Sequence, residues 1–397
     1  MVLNKVKSID YFIWLCFSCW ILIDSINGYA KTNGIGIPVS QITKTCVFFL
    51  VIIRLLGDGR IKALLVLIAL YIALLIVNVI GLGGNVMDAM AQVMKPITNI
   101  FFYIYFCAIL RINKIFFQKK YELVIILNFL FLLANVLLGL LGFGNSIYTL
   151  GDGDSYGIKG FIYAQNEISC VVAVLFPLIL LYARHRYSKF RYYMLCVFLL
   201  FIAFSIATKA AVFVAILSCM LVTYKIGSKR EKKIIVLISV VVLLLVVSYI
   251  SYLMASEFAM FQRFSYFYEK NGFAEAILSS RWTFWIERSP LFFRHDFVIQ
   301  LFGLCNGEVI CELDPFDALL FLGWIGLVIN VLLLVYLILV PCFRRNKDDY
   351  EKVMVISNTL IVFISLFSGH IFFSSMGGMF VALANSKLRQ RQIVVYK

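Results

Sequence analysis

The chain has 397 residues, of which 62% are apolar and 14% are charged, and its formal net charge is +15. Soluble domains are closer to half apolar, so this composition excludes an ordinary soluble protein and indicates a polytopic helical membrane protein. The basic balance does not indicate a nucleic-acid partner, because most cations lie in short loops between apolar runs.

Apolar runs and the charges between them predict an all-α bundle of about twelve membrane spans. The predicted limits are 10–28, 42–57, 61–83, 90–111, 121–143, 161–183, 192–207, 210–224, 234–253, 316–340, 353–371 and 374–386. Most residues belong to these spans, so we expect 1–397 to form a single transmembrane domain. The first span resembles a signal peptide, but an uncleaved anchor keeps the number of spans even.

The Lys and Arg residues are distributed unequally between alternate loops. If the N terminus is cytoplasmic, 25 of the 36 cations lie on the cytoplasmic side, ten lie at the opposite face and Arg54 lies on a span. Cytoplasmic loops of membrane proteins are rich in Lys and Arg. The sequence therefore predicts a multi-pass protein of the cytoplasmic membrane with both termini in the cytoplasm. It places the one long polar segment, 255–315, outside, as a large extracytoplasmic loop.

Cysteine and histidine spacings give no sign of a bound metal. Cys16 and Cys19 form a CxxC inside the first span, where a thiolate is costly, so we interpret them as small apolar side chains. Cys305 and Cys311 lie in the long loop, where both free thiols and a disulfide fit the sequence. The three histidines are far apart, and no metal-binding motif or phosphate-binding loop is present. We therefore expect no metal and no cofactor.

Two isolated cations lie near the outer ends of predicted spans. Lys95 precedes Pro96 in the outer half of the fourth span, and Lys209 lies in the turn between the seventh and eighth spans. A cation within the membrane usually faces a partner or a wet cavity. Both residues are candidates for binding an anionic group, and snorkelling to lipid headgroups is the alternative.

Residues 157–169, GIKGFIYAQNEIS, lead through predicted glycine turns into the sixth span. Gln165, Asn166 and Glu167 therefore come at the outer end of that span. Three polar side chains facing lipid there would be costly. They could bind sugar hydroxyls or hydrogen-bond to neighbouring helices.

The long loop contains a predicted helix, 274–289, that ends at Pro290. Arg281, Trp285 and Arg288 have i, i+4, i+7 spacing and share one face of this helix. Two guanidinium groups near aromatic side chains suit a diphosphate or an acidic sugar. The alternative is an interfacial helix whose arginines contact lipid headgroups.

Three acids, Glu312, Asp314 and Asp317, lie at the start of the tenth span. Asp317 falls in the first helical turn, where the helix dipole tolerates a carboxylate, and Asp314 precedes a proline and could cap the helix. Capping does not explain three acids, and one of them could accept a proton from a sugar hydroxyl. His295 and His370 are also predicted to be external, but a lone histidine is a weaker candidate.

The order of these motifs along the chain resembles that of the bacterial O-antigen polymerase and ligase family, which includes capsular and exopolysaccharide polymerases. The resemblance covers about residues 157–330. Its pieces are GxxG followed by Ala164-Gln165-Asn166, Thr208-Lys209 between two spans, Ser280-Arg281-Trp282, Pro290 and Gly303 in the loop, and Glu312-x-Asp314-x-x-Asp317 ahead of Gly323-x-x-Gly326. Lys209 departs from the family, which often has Arg there. Ligases and many polymerases of the family have a histidine near the position of Asp314 or Asp317. The acids found here instead resemble those of polymerases from capsule or exopolysaccharide clusters.

The resemblance implies a metal-independent membrane glycosyltransferase with a GT-C-like fold. The donor would be a polyprenyl-diphosphate-linked glycan, and the acceptor would be a sugar hydroxyl of another lipid-linked repeat unit. The candidate residues that follow are Asp314, Asp317, Glu312 and Arg281 for catalysis, Arg281, Arg288, Lys209 and Lys95 for the diphosphate, and Gln165, Asn166 and Glu167 for sugar. The implied partners are membrane lipid and a flippase and chain-length regulator of the same pathway.

Three other functions fit parts of the sequence. They are an O-antigen-type ligase with another acceptor, a lipid-linked oligosaccharide flippase, and a scaffold without enzymatic activity. Transporters usually contain repeats and bind substrate near the bilayer midplane. The sequence shows no repeat, and its polar residues cluster at the predicted outer face, which favours the enzyme.

Overall fold

The computed structural model describes residues 5–57, 59–82, 85–149, 155–162, 165–237, 281–304, 310–343, 347–369 and 371–390, with positions 268, 269, 272 and 278. Most of the predicted span 234–253 and the loop segment 255–280 lie outside the described residues. So do Cys305 and His370, and the side chains of Gln165 and Asn166.

The described part of the chain is mainly helical. Its helices are α1 Ser8–Ser18, α2 Trp20–Thr32, α3 Val39–Leu55, α4 Gly59–Gly81, α5 Val86–Ile112, α6 Lys114–Leu140, α7 Gln165–Arg186, α8 Lys189–Ile206, α9 Lys209–Ile226, α10 Arg281–Phe293, α11 Phe297–Phe302, α12 Asp314–Cys342, α13 Asp349–Phe367 and α14 Ser375–Lys387. A 3₁₀ turn, Leu388–Gln390, follows α14, and residues 229–237 are also helical.

Within the described ranges, eight helices are long and apolar enough to cross a membrane: α4 to α9, α12 and α13. Helices α1 and α2 form a ninth candidate, bent by 58°. These helices confirm an all-α, multi-pass membrane architecture. The prediction of twelve spans is not confirmed, because α3 has 17 residues and α14 has 13, fewer than the roughly 20 of a standard span.

A β-hairpin between α6 and α7 was not predicted. Strands β1, Asn145–Thr149, and β2, Ser155–Gly160, pair antiparallel, so the glycines expected to form turns belong to a strand. Gly160 has a φ of 58°, and a Cβ there would collide with the carbonyl oxygen of Asn135 on α6. The Asn135 side chain also accepts a hydrogen bond from Phe161 N at 3.1 Å. These contacts fix the hairpin to the end of α6.

Helix α7 is the centre of the bundle. It packs against α6, α8, α9, α13 and α14, and its residues 168–176 are all buried. A helix that is apolar on every side is expected to be buried on every side. Helix α4 is the opposite case, because Val66, Leu67, Leu70 and Val77 are exposed and form an apolar surface suited to lipid.

The two ends of the bundle differ in charge. At one end, which we call the basic end, Arg184 pairs with Glu231 at 2.7 Å and Arg54 pairs with buried Asp10 at 3.0 Å. Burial alone would raise the pKa of Glu231, but hydrogen bonds from Arg184 and Ser228 lower that pKa to about 2. The opposite end, which we call the site end, contains the first turns of α5, α7, α9, α12 and α14.

We expect the basic end to face the cytoplasm, as its excess of cations suggests. Val298 on α11 is 66% exposed and Lys233 is exposed at the basic end. A membrane-impermeant maleimide should label Val298→Cys in intact cells, above the background of the parent chain. Lys233→Cys should be labelled only after lysis, and the reverse pattern would invert the proposed orientation.

Candidate functional site

Helix α12 is broken one-third of the way along its length. Gly323 has a φ of 71° and a ψ of −166°, which interrupt the helix and release backbone carbonyl groups. The Leu320 carbonyl accepts a hydrogen bond from Leu304 N at 2.9 Å, and the Leu322 carbonyl accepts one from the Tyr71 hydroxyl at 3.3 Å. Non-helical backbone at membrane depth requires such partners.

The break depends on two glycines that meet across the fold. Gly303 ends α11 with a φ of 82°, and a Cβ at Gly303 or at Gly323 would collide with the backbone of the other segment. Asn78 on α4 donates to the Gly303 carbonyl at 2.6 Å. These contacts therefore hold the loop that contains α11 against the first part of α12, residues 314–322.

Two carboxylates lie buried in the first turn of α12. Asp314 is 0% exposed and accepts the backbone N–H of Ile371 at 3.0 and 3.2 Å, in the turn between α13 and α14. Asp317 is 3% exposed and accepts the N–H of Cys311 at 2.5 Å. Leu313 is the N-cap, so Asp314 is not the capping residue that the sequence suggested. The N-terminal dipole of α12 favours a negative charge at this helix start.

Glu312 is the ion-pair partner of Arg281. The Arg281 guanidinium lies 3.1 Å from Glu312 Oε2 and also donates to the Glu312 carbonyl at 3.2 Å. Glu312 has a φ of 63°, a strained value for a residue other than glycine, and the backbone of Gly369 packs against it. The three predicted acids therefore separate into a buried pair and a residue that positions Arg281.

The loop helix α10 continues past Pro290 to Phe293, so the expectation that Pro290 ends it is wrong. A proline in the last turn removes only one intrahelical hydrogen bond, and the Pro290 carbonyl still accepts one from Arg294 N at 3.2 Å. Trp285 stacks on Phe316 with ring centroids 4.3 Å apart. This stacking holds α10 against the start of α12.

Arg288 lies on the same side of α10 as Arg281. Its guanidinium is 4.5 Å from the centre of the Phe284 ring. Burial and the Asp317 carboxylate raise the pKa of Cys311 to about 12, while the charge of Arg288 opposes that rise. Arg288 is therefore close enough to Cys311 to interact electrostatically, next to the buried acids.

A second group of charges lies at the site end, and the sequence analysis missed two of its members, Asp24 and Lys44. Lys44 Nζ on α3 lies 2.7 Å from both carboxylate oxygens of Asp24 on α2, and Ser40 donates to Asp24 at 2.5 Å. Glu167, in the first turn of α7, interacts electrostatically with Lys44, Asp24 and Lys95. We call Asp24, Lys44, Lys95 and Glu167 the charge cluster. The only signal of Asp24 and Lys44 in the sequence was that each is a charged residue within an apolar run.

The charge cluster adjoins the buried acids. Cys170, one turn after Glu167, interacts electrostatically with both Glu167 and Asp314. Gly377 on α14 leaves room for the Cys170 thiol, and Ser374, the N-cap of α14, interacts with Glu167. The helix starts of α7, α12 and α14 therefore bring acids and cations from distant parts of the chain to one place.

Lys209, another predicted site residue, lies further out than the charge cluster. Lys209 is an exposed residue at the start of α9, after the N-cap Thr208, whose hydroxyl lies 3.5 Å from that of Ser169. Lys95 donates to Gln92 at 2.8 Å. In the described ranges, no three His, Cys, Asp or Glu residues are grouped to hold a metal ion.

Comparison with models of known families, with curated proteins and with solved structures finds no match to this chain. The resemblance to O-antigen polymerases and ligases therefore stays a prediction. The assignment of the site rests on the arrangement of the residues themselves.

The Lys44–Asp24 pair should contribute to stability, because its side chains are only 10% and 14% exposed. Removing one partner of a buried pair costs about 3–5 kcal/mol. We expect Lys44→Met and Asp24→Asn each to lower the melting temperature in detergent by several degrees, and the double variant to lose less than the sum.

The matched control is the exposed pair Arg186–Glu122, at 3.0 Å with side chains 55% and 38% exposed. Exposed pairs contribute about 0–1 kcal/mol, so Arg186→Met should change the melting temperature little. Equal effects at the two pairs, or additive effects of Lys44→Met and Asp24→Asn, would contradict the buried interaction.

Proposed function

We propose that the protein is a metal-independent polysaccharide polymerase of the cytoplasmic membrane. It transfers a polyprenyl-diphosphate-linked glycan to the acceptor sugar hydroxyl of another lipid-linked repeat unit at the outer face. The observation that carries this proposal is the buried pair Asp314 and Asp317 beside Arg281 and Arg288. An acid that can accept the proton of the acceptor hydroxyl and cations that can bind a diphosphate then lie together at the start of α12.

The cations would bind the diphosphate of the donor. Arg281 is positioned by its ion pair with Glu312, and Arg288 projects from the same helix face. Lys95 of the charge cluster is a further candidate cation in the bundle, and exposed Lys209 lies at its edge. Negative charge develops on the diphosphate as the bond to the sugar breaks, and positioned cations stabilise that charge.

The acids would activate the acceptor. The acceptor oxygen forms a bond to the anomeric carbon of the donor sugar, and the bond from that carbon to the phosphate oxygen breaks. The hydroxyl proton passes to a carboxylate, and the diphosphate leaves with its lipid. We assign this role to Asp317, because it accepts the N–H of Cys311, the residue whose thiol interacts electrostatically with Arg288. Asp314, which accepts a hydrogen bond from Ile371 N, would help to position the acceptor sugar.

Sugar recognition would fall to the start of α7, where Glu167 lies close to Ser374 and follows Gln165 and Asn166. The proposed partners are a flippase that delivers the lipid-linked units and a chain-length regulator of the same pathway. A ligase that uses the same chemistry with another acceptor is the nearest alternative.

A lipid-linked oligosaccharide flippase is the second candidate, because one observation favours it. Transporters often use broken helices and intramembrane charges, and this protein has a break in α12 at Gly323 and a mixed charge cluster at the site end. The candidate residues nevertheless lie at one end of the bundle, which suits a reaction at one membrane face. Polymerisation by purified protein in detergent needs no transport and separates the two functions.

The arginines are the first test of the proposed enzyme. Arg281→Ala and Arg288→Ala should each lower the polymerisation rate about tenfold to a hundredfold, because each removes charge-assisted hydrogen bonds of roughly 1.5–3 kcal/mol. Arg281→Lys should restore little activity, since Lys lacks the planar fork. Exposed Arg294 on the same loop is the control. Normal polymerisation by both alanine variants would remove the arginines from the mechanism.

The acids are the second test. Asp317→Asn should abolish polymer formation from purified lipid-linked repeat units while the melting temperature stays close to that of the parent chain. Asp314→Asn should reduce the rate less, because it affects position and not proton transfer. Asp296→Asn, which makes the same change at the exposed N-cap position of α11, is the matched control. Full activity of Asp317→Asn would exclude it as the base.

A further inference from the structure

Helices α5 and α12 are separated by an apolar gap. The gap contains two adjoining cavities of about 270 and 280 Å³. Both are lined by Pro96 and Ile100 of α5, by Leu333 of α12 and by Phe372. Protein interiors leave few voids larger than a water molecule, so cavities of this size within a membrane bundle suit a hydrocarbon chain.

The first cavity ends at a cation. Its lining includes Tyr103, Tyr336 and Arg389, at the end of α14 that lies on the basic side of the bundle. The Tyr103 and Tyr336 hydroxyls are 2.6 Å apart, and the Arg389 guanidinium lies 5.6 Å from the centre of the Tyr103 ring. The apolar cavity therefore has a polar, positively charged mouth.

No carboxylate within the described ranges pairs with Arg389. Its electrostatic neighbours are Tyr336, Tyr103 and Cys107, and Arg111 adds a second positive charge near Cys107. A guanidinium has five N–H donors in a planar fork that matches a phosphate. The neighbouring Lys387 is arranged differently, because it lies 4.4 and 4.5 Å from the ring centres of Tyr121 and Tyr350.

We propose that the gap between α5 and α12 binds one anionic glycerophospholipid from the basic side of the membrane. The phosphate pairs with Arg389 at the mouth, and an acyl chain fills the cavity between Ile100 and Leu333. Basic pockets between transmembrane helices bind anionic headgroups in this way. The charged mouth at Arg389 lies at the opposite end of the bundle from Asp314 and Asp317, while the first cavity extends as far as Ile371, whose N–H donates to Asp314. Binding of a phospholipid headgroup at Arg389 does not depend on the proposed reaction.

Charge complementarity distinguishes this occupant from other lipids. A zwitterionic phospholipid places a cation beside its phosphate, which would oppose Arg389. An isoprenoid diphosphate entering from the site end would leave its charged group near Phe372 and would not reach Arg389. The proposal therefore predicts selection by headgroup charge at Arg389.

The experiment measures lipid retained by the purified full-length protein. Native mass spectrometry is used to titrate the protein with phosphatidylglycerol and phosphatidylcholine that carry the same acyl chains. We expect one phosphatidylglycerol to bind about tenfold more tightly than phosphatidylcholine, because a charge-assisted hydrogen bond distinguishes them. Arg389→Gln should remove that preference, and Arg389→Lys should keep part of it. Lys387→Gln, which removes a charge two residues away, should leave it unchanged.

The proposed binding site of the acyl chain is tested by Ala382→Phe, which places a larger side chain in the wall of the first cavity. This variant should weaken the binding of both phospholipids. Any binding that remains should still favour phosphatidylglycerol over phosphatidylcholine, as in the wild-type protein.

Equal affinity of the wild-type protein for the two phospholipids would overturn the proposal, whatever the variants do. Equal loss of preference in Arg389→Gln and Lys387→Gln would also overturn it. Displacement of phosphatidylglycerol by an isoprenyl diphosphate, unaffected by Arg389→Gln, would assign the gap to a lipid carrier instead.

Discussion

The architecture of the site depends on the satisfaction of backbone hydrogen bonds where α12 breaks. Lipid offers no partner for a released carbonyl group, so a helix can break at this depth only if other protein groups replace the lost bonds. Leu304 and Tyr71 supply them, and Gly303 and Gly323 allow the two backbones to approach closely enough. This one contact fixes α11 against the first part of α12, and that part carries Asp314 and Asp317.

A second constraint acts on the buried charges at the site end. Each buried charge requires a partner, because desolvation of an unpaired ion costs several kcal/mol. Asp24 has Lys44, and Arg281 has Glu312. Asp314 and Asp317 instead accept backbone N–H groups at the start of a helix whose dipole favours a negative charge there. Acids and cations thus lie close together at the site end, and the proposed glycan transfer relies on this arrangement.

Much of the helical framework could be predicted because the relevant signals are local. Apolar runs located the major spans, and the spacing of Arg281, Trp285 and Arg288 placed them on one face of α10. The end of that helix was misplaced, because a proline in a last turn removes a single hydrogen bond and need not stop the helix. The β-hairpin was missed because its stability comes from contact between Gly160 and Asn135 on α6, which are far apart in sequence.

The sequence by itself determined that this is a helical membrane protein, where most of its spans lie and which polar segments precede them. Those properties follow from hydropathy and charge summed over neighbouring residues. Only the tertiary structure decided that Asp24 faces Lys44, that Glu312 holds Arg281 and that the two buried acids accept N–H groups from Cys311 and Ile371. Side chains meet across helices according to packing and rotation about each helix axis, and no local pattern of residues encodes which distant partner will satisfy a buried charge.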